Sequence, residues 1–297
     1  MPRTTVQRRK LILRRLRATA ALAGALATIS GPALSQAATP AAGGYPNSIV
    51  VLGHSGATGQ NSDPTRPGEE ARANSWATGT NPKVDSLYER IRAKHPAITG
   101  HAVNLAQGGA TVTELLQQAH QAVALKPVPQ LIVVQIMDND ILCPATAKDY
   151  ASFLSTFASA LGVLSRGAPH SHIFVVSQFG SPGTFAASLS RSERLRFALQ
   201  SGIGGGPCDF VNPEGRIVDA KVELLDKDIH GYEAELKAGC LRFVQCRYDG
   251  GAAGNIVDKR SYVSSDLNHF SIAGNAKAAA VAWAAMQRMG VIPRDTP

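Results

Sequence analysis

The chain is poor in charge and in sulfur. Only 18% of its 297 residues are charged and only four are cysteine. Those four, Cys143, Cys208, Cys240 and Cys246, form no C-x-x-C and no Cys/His pair at ligand spacing, which argues against zinc. The glycine-rich run at 202–206 has neither a following Lys-Ser/Thr nor a preceding strand, so it is no phosphate cradle. Internal repeats are absent. A positive excess is also missing from most of the chain, despite a net charge of +8. Arg3, Arg8, Arg9, Lys10, Arg14, Arg15 and Arg17 all fall in the first 37 residues, with no acidic residue among them. Setting those seven aside leaves 23 basic against 22 acidic side chains. A body so balanced carries no electrostatic footprint for nucleic acid or an anionic membrane.

What the N-terminus does contain is a basic head, an apolar Ala-rich run from Ala18 to Leu34, and small residues around Ala33–Ala38. That order is the layout of a signal peptide, expected over residues 1–37 and followed by a Pro/Gly/Ala linker over 38–47. Arg8-Arg9 with Leu11 and Ile12 resembles a twin-arginine signal but lacks the polar residue usual before the pair, which leaves both export routes open. The apolar run is at the short end for a membrane span, and no cysteine follows it to carry a lipid anchor. We therefore expect no stable span after processing, and a secreted or cell-envelope protein. In an oxidising compartment the four cysteines would pair. Of the three connectivities, the short spacing favours Cys240–Cys246, leaving Cys143–Cys208.

From residue 48 onward, apolar runs alternate with helical patterns. Strands are expected at Ser48–Gly53, Ile98–Leu105, Gln130–Met137 and Ser171–Ser177. Helices are expected at Val84–Lys94, Val112–Leu125, Asp149–Leu164, Arg191–Gln200, Val218–Lys237 and Ile272–Met289. Such alternation at this spacing predicts right-handed βαβ crossovers and a parallel sheet covered on both faces. The stretch from about 201 to 258 is the least regular, holds three of the cysteines, and reads as an elaboration beside the sheet within one domain, 48–297.

Ligands of an open parallel sheet bind beyond the carboxyl ends of its strands. The first predicted strand ends at Gly53-His54-Ser55, the second at Asn104–Gly109, the third at Met137-Asp138-Asn139-Asp140. Far downstream, Asp266-Leu267-Asn268-His269 places an acid and an imidazole three residues apart, just before the last helix. A serine hydroxyl becomes nucleophilic when a base takes its proton, and the base works best when a third group fixes its tautomer. Ser55 can be the nucleophile, His269 the base and Asp266 its orienting acid. Gly109 and the Asn139 amide, with the Ser55 backbone N–H, can supply the donors that a developing oxyanion needs.

The blocks GHSGATG (53–59), NLAQGGAT (104–111), MDND (137–140) and DLNH (266–269) resemble, in order and spacing, those of the SGNH or GDSL-type hydrolases. The resemblance runs from about Ile49 to Met289. It implies a flavodoxin-like three-layer α/β/α sandwich with a five-stranded parallel sheet, and esterase, lipase or deacetylase activity without cofactor or metal. By motif position Ser55 matches the nucleophile, Asp266 and His269 the acid and base, and Gly109 and Asn139 the oxyanion donors. Two positions depart from the pattern: His54 stands where the family usually has Asp, and Met137 where it usually has Gly. The expected partner is a small-molecule, lipid or acylated-carbohydrate ester, met by a monomer. Acyl transfer on the same fold, or a binding module that has lost catalysis, are the alternatives. Asp138 and Asp140 are read as lacking the partners of a metal pair. His95, His101, His120, His170, His172 and His230 show no pairing logic and are read as surface or packing residues.

Overall fold

The computed structural model describes residues 44–200 and 204–295. The expected signal peptide and most of the linker lie outside the described residues. Five strands, β1 (Ile49–Gly53), β2 (Ala102–Asn104), β3 (Leu131–Gln135), β4 (His172–Val176) and β5 (Cys246–Tyr248), form one parallel sheet in the order β2-β1-β3-β4-β5. Eight helices accompany them among the described residues: α1 (Ser55–Thr58), α2 (Leu87–Lys94), α3 (Val112–Ala124), α4 (Ala147–Gly167), α5 (Pro182–Ser188), α6 (Arg191–Leu199), α7 (Asp219–Cys240) and α8 (Ile272–Arg288).

Side chains alternate across a strand, so each central strand feeds two cores. Val50 and Leu52 of β1, with Ile132 and Val134 of β3, face Leu115 of α3, Phe157 and Leu161 of α4 and Leu236 of α7. Ile49 and Val51, with Leu131 and Val133, face Leu87 and Ile91 of α2 and Ala278, Ala282 and Met286 of α8. Every residue of β1 and β3 is buried, as a sheet covered on both faces demands. The expected α/β/α sandwich is therefore observed.

The helices begin where side chains can satisfy the free N–H groups of a first turn. Thr111 and Glu114 form a capping box on α3, Thr146 and Asp149 on α4, and Ser190 and Glu193 on α6.

Three differences from the sequence reading have local causes. Strand β2 is three residues long, not eight, because Pro96 opens a 3₁₀ turn and Gly100 adopts φ +82° before the chain extends. Helix α5 has no counterpart among the expected helices; Ser181 caps it and Pro182 starts it. The segment 201–258 does more than decorate the sheet: besides the expected α7 it supplies the edge strand β5. That strand, Cys-Arg-Tyr, pairs only with β4 and carries no apolar run for a periodicity argument to find. Cys143–Cys208 and Cys240–Cys246 are both bonded, with Cα separations of 5.2 and 5.3 Å. No helix among the described residues is long and apolar enough to cross a membrane.

Candidate active site

The strand order reverses between β1 and β3, the topological switch point where a crevice opens beyond the strand ends. β1 reaches it through Gly53, whose φ of +141° and close approach to the Gln135 carbonyl leave no room for a Cβ. Gln118 of α3 clamps that glycine, accepting from its N–H at 2.6 Å and donating to its carbonyl at 2.9 Å. His54 then caps the short helix α1, and Ser55 is that helix's first residue.

Residues more than two hundred positions apart in sequence meet here. Ser55 Oγ lies 2.9 Å from His269 Nε2, and His269 Nδ1 lies 2.6 Å from Asp266 Oδ2. The carboxylate can only accept, so Nδ1 carries the imidazole proton and Nε2 presents its lone pair to the serine hydroxyl. Asp266 is held from several sides. Asn61 Nδ2 donates to Oδ2 at 2.5 Å; the N–H groups of Asn268 and His269 donate to Oδ1 at 3.0 and 3.1 Å, and Ser264 Oγ donates there too. Burial alone would raise this carboxyl, but the hydrogen bonds from His269 and Ser264 outweigh it and hold Asp266 below the ordinary carboxylate range.

The second and third blocks are tied to each other. Asn139 Nδ2 donates to the Ala110 carbonyl at 2.9 Å, and Asp140 accepts from the Val112 N–H at 3.0 Å. Asn139 lines the cavity beside Ser55; Gly109, at φ +75°, is exposed and is not among the lining residues. The backbone N–H groups of Ser55 and Gly109 have no acceptor among the described residues. Asp138 and Asp140 serve different partners, Gln178 and Val112.

The cavity measures about 470 Å³. Its lining combines Phe185, Phe197, Phe210, Leu225 and Ile229 from α5, α6, α7 and the loop between with the polar His54, Asp138, Gln178 and Asp258. Phe179 packs edge-on against both Trp76 and Phe270, with ring centres 5.4 and 5.3 Å apart. Asn61 and Ser264 lie outside the four motif blocks' assigned roles, yet both hold Asp266. Ser264 left a local signal two residues before Asp266; Asn61, 205 positions away, left none.

No curated protein matches the sequence. Among solved structures, phospholipase A1 from Streptomyces albidoflavus NA297 superposes with a TM-score of 0.50 at 14% identity, covering 82% of this chain and 98% of that one. An extracellular lipase from Streptomyces rimosus aligns with a TM-score of 0.48 at 15% identity, covering 80% and 99%. The former likeness concerns the fold. The family model of GDSL-like lipases and acylhydrolases matches residues 49–281, and by that match the chain belongs to this family of carboxylic ester hydrolases.

Proposed function

We propose that the chain cleaves carboxylic esters through an acyl-enzyme formed on Ser55. The observation that carries this reading is the continuous hydrogen-bonded path from Ser55 Oγ through His269 to Asp266. Ser55 Oγ attacks the ester carbonyl while its proton passes to His269 Nε2. The leaving alcohol takes that proton as the C–O bond breaks. Water then gives a proton to the same nitrogen, adds to the acyl carbon, and the free acid departs from Ser55 as the proton returns to Oγ. Asp266 keeps the proton-bearing Nδ1 in place and stabilises the transient imidazolium. The oxyanion is met by the N–H groups of Ser55 and Gly109 and by the Asn139 amide; the two backbone donors are free to serve, and Asn139 has a second amide hydrogen beyond the one given to Ala110.

The basic head, apolar run and small residues of 1–37 support export as the route, and the two disulfides of the body suit an oxidising destination.

Purified protein should take a fluorophosphonate label on Ser55 and hydrolyse acyl esters somewhere in the C2–C16 range. Ser55→Ala should abolish both. Asn139→Ala should lower kcat on the order of 10²–10³-fold, the size of one lost oxyanion donor. Unchanged turnover in Ser55→Ala would reject the assignment, and a folded protein that takes no label would favour a binding module.

A further inference from the structure

The hydrogen bonds on Asp266 divide by oxygen. Oδ1 accepts from the backbone N–H groups of Asn268 and His269 and from Ser264 Oγ, all within three positions of the acid itself. These fix one oxygen against its own turn. Oδ2, the oxygen that meets His269 Nδ1, also accepts from Asn61 Nδ2 at 2.5 Å. Among the described residues, Asn61 is the one donor to this carboxylate from outside 264–269.

The amide of Asn61 is committed at both ends. Its Oδ1 accepts from the Gly68 N–H at 2.6 Å, so the atom facing Asp266 is the nitrogen, as a carboxylate requires. Its backbone is held as firmly. The Asn61 N–H donates to the Glu69 carbonyl at 2.9 Å, and the Ala71 N–H to the Gly59 carbonyl at 3.3 Å, which closes residues 59–71 into a loop. Gln60 pairs antiparallel with Glu70, and Gln60 Nε2 donates to the Gly68 carbonyl at 2.9 Å. Asn61 sits at φ +55°, a left-handed angle that asparagine tolerates better than most residues. The loop leaves from Gly59, which caps the C-terminus of α1, the helix that Ser55 begins. The nucleophile and the outside donor to its acid therefore share one short stretch of chain, 55–61.

A carboxylate orients an imidazole only while its oxygen stays in line with the ring N–H. The turn 264–269 anchors Oδ1. Rotation about that anchor would swing Oδ2 off Nδ1 and, through the ring, Nε2 off Ser55 Oγ. A donor on Oδ2 that comes from the serine's own element opposes that rotation. We propose that Asn61 is a positioning residue of the triad: its Nδ2–H fixes Asp266 Oδ2 on His269 Nδ1 and so keeps acid and base in register with Ser55. This rests on the ester-hydrolase reading above for the chemistry it serves. A residue that merely closed its own loop would need only the oxygen that Gly68 uses; the positioning role needs the nitrogen.

Asn61→Asp separates the two roles. It keeps an oxygen for Gly68 but has no proton for Asp266 at about pH 8, where both facing carboxyls are ionised. Asn61→Ala removes both bonds. With a soluble acyl ester at that pH, each variant should lose at least about tenfold in kcat, the scale of a modest misplacement of reacting groups. KM should stay within about twofold of wild type. The downfield ¹H resonance of His269 Nδ1–H should shift, or vanish into exchange, in both variants. Asn61→Asp turning over like wild type or well above Asn61→Ala, losses carried by KM alone, or an unchanged Nδ1–H resonance would each overturn the proposal. If neither variant folds, the wild-type protein decides. Asn61 Nδ2–H and His269 Nδ1–H share one acceptor and should show a nuclear Overhauser effect, whose absence overturns the proposal. A wild-type protein that hydrolyses no ester, with the Nδ1–H resonance still moved by Asn61→Asp, would count against the hydrolase reading and for the positioning role. Ester turnover with that resonance unmoved would do the reverse.

Discussion

Met137 shows what a single backbone angle demands. It adopts φ +131° and ψ −37° just before the turn that carries Asn139, and its side chain is fully buried. Positive φ is where glycine is at ease, and glycine is the residue that the resembling family usually has at this place. A strained side chain of this kind costs roughly 1–3 kcal/mol, whereas removing a buried methionine side chain costs about 2–5 kcal/mol. Packing should win. Met137→Gly is expected to lose about 1–3 kcal/mol of stability in urea denaturation. A gain in stability would mean that backbone strain outweighs the packing of this side chain.

At the scale of elements, the turn after β3 and the start of α3 are coupled through one carboxyl. Asp140 accepts from the first N–H of α3, yet burial pushes its pKa up to about 6, helped by the nearby charges of Glu114 and Asp138 and only partly offset by the Val112 N–H. Its folded value lies above its unfolded value, so between about pH 4 and 6 the folded chain holds the extra proton, and stability falls as pH rises through that window. Above it the loss is complete. Asp140→Asn removes this titration while keeping an oxygen for Val112. From pH 4 to pH 7 the wild type should therefore lose on the order of 1–2 kcal/mol relative to the variant, after allowing for partial solvent screening. Denaturation midpoints of the two proteins at both pH values give the comparison, and a constant difference would remove Asp140 as the cause. Asp266 acts in the opposite sense: its depressed pKa adds stability at neutral pH that is lost on acidification.

Across the whole molecule, the two disulfides do unequal work. Cys240–Cys246 spans six positions and joins the end of α7 to β5, while Cys143–Cys208 spans 65 and ties the segment after β3 to the stretch before α7. Loop-closure entropy gives about 2 kcal/mol for the short loop and about 4 kcal/mol for the long one. Cys143→Ala with Cys208→Ala should therefore destabilise the protein about twice as much as the other pair of substitutions. It should also impair activity, because Ile141 and Pro207 beside that bridge line the cavity. Thermal melts with parallel ester assays check both, and equal effects from the two pairs would refute the loop-length account.

The central strands, most of the helices and the four motif blocks are legible in the sequence because each is written locally. Two-sided burial makes β1 and β3 apolar runs, capping residues mark α3, α4 and α6, and Ser55 closely follows β1 while Asp266 and His269 closely precede α8. Strand β5 is not legible, since an edge strand of three residues needs only one neighbour and no core-facing pattern. Neither are the roles of Asn61 and His54. Asn61 reaches Asp266 across 205 positions, and His54 Nδ1 accepts from the Gly56 N–H only because folding turns the ring there. Local sequence determined which segments become helices and strands, through periodicity and capping. Which polar atoms share a cavity, and which are left without partners, was decided by the packing of those segments on the sheet, because hydrogen bonding and desolvation depend on distances that only the folded chain sets.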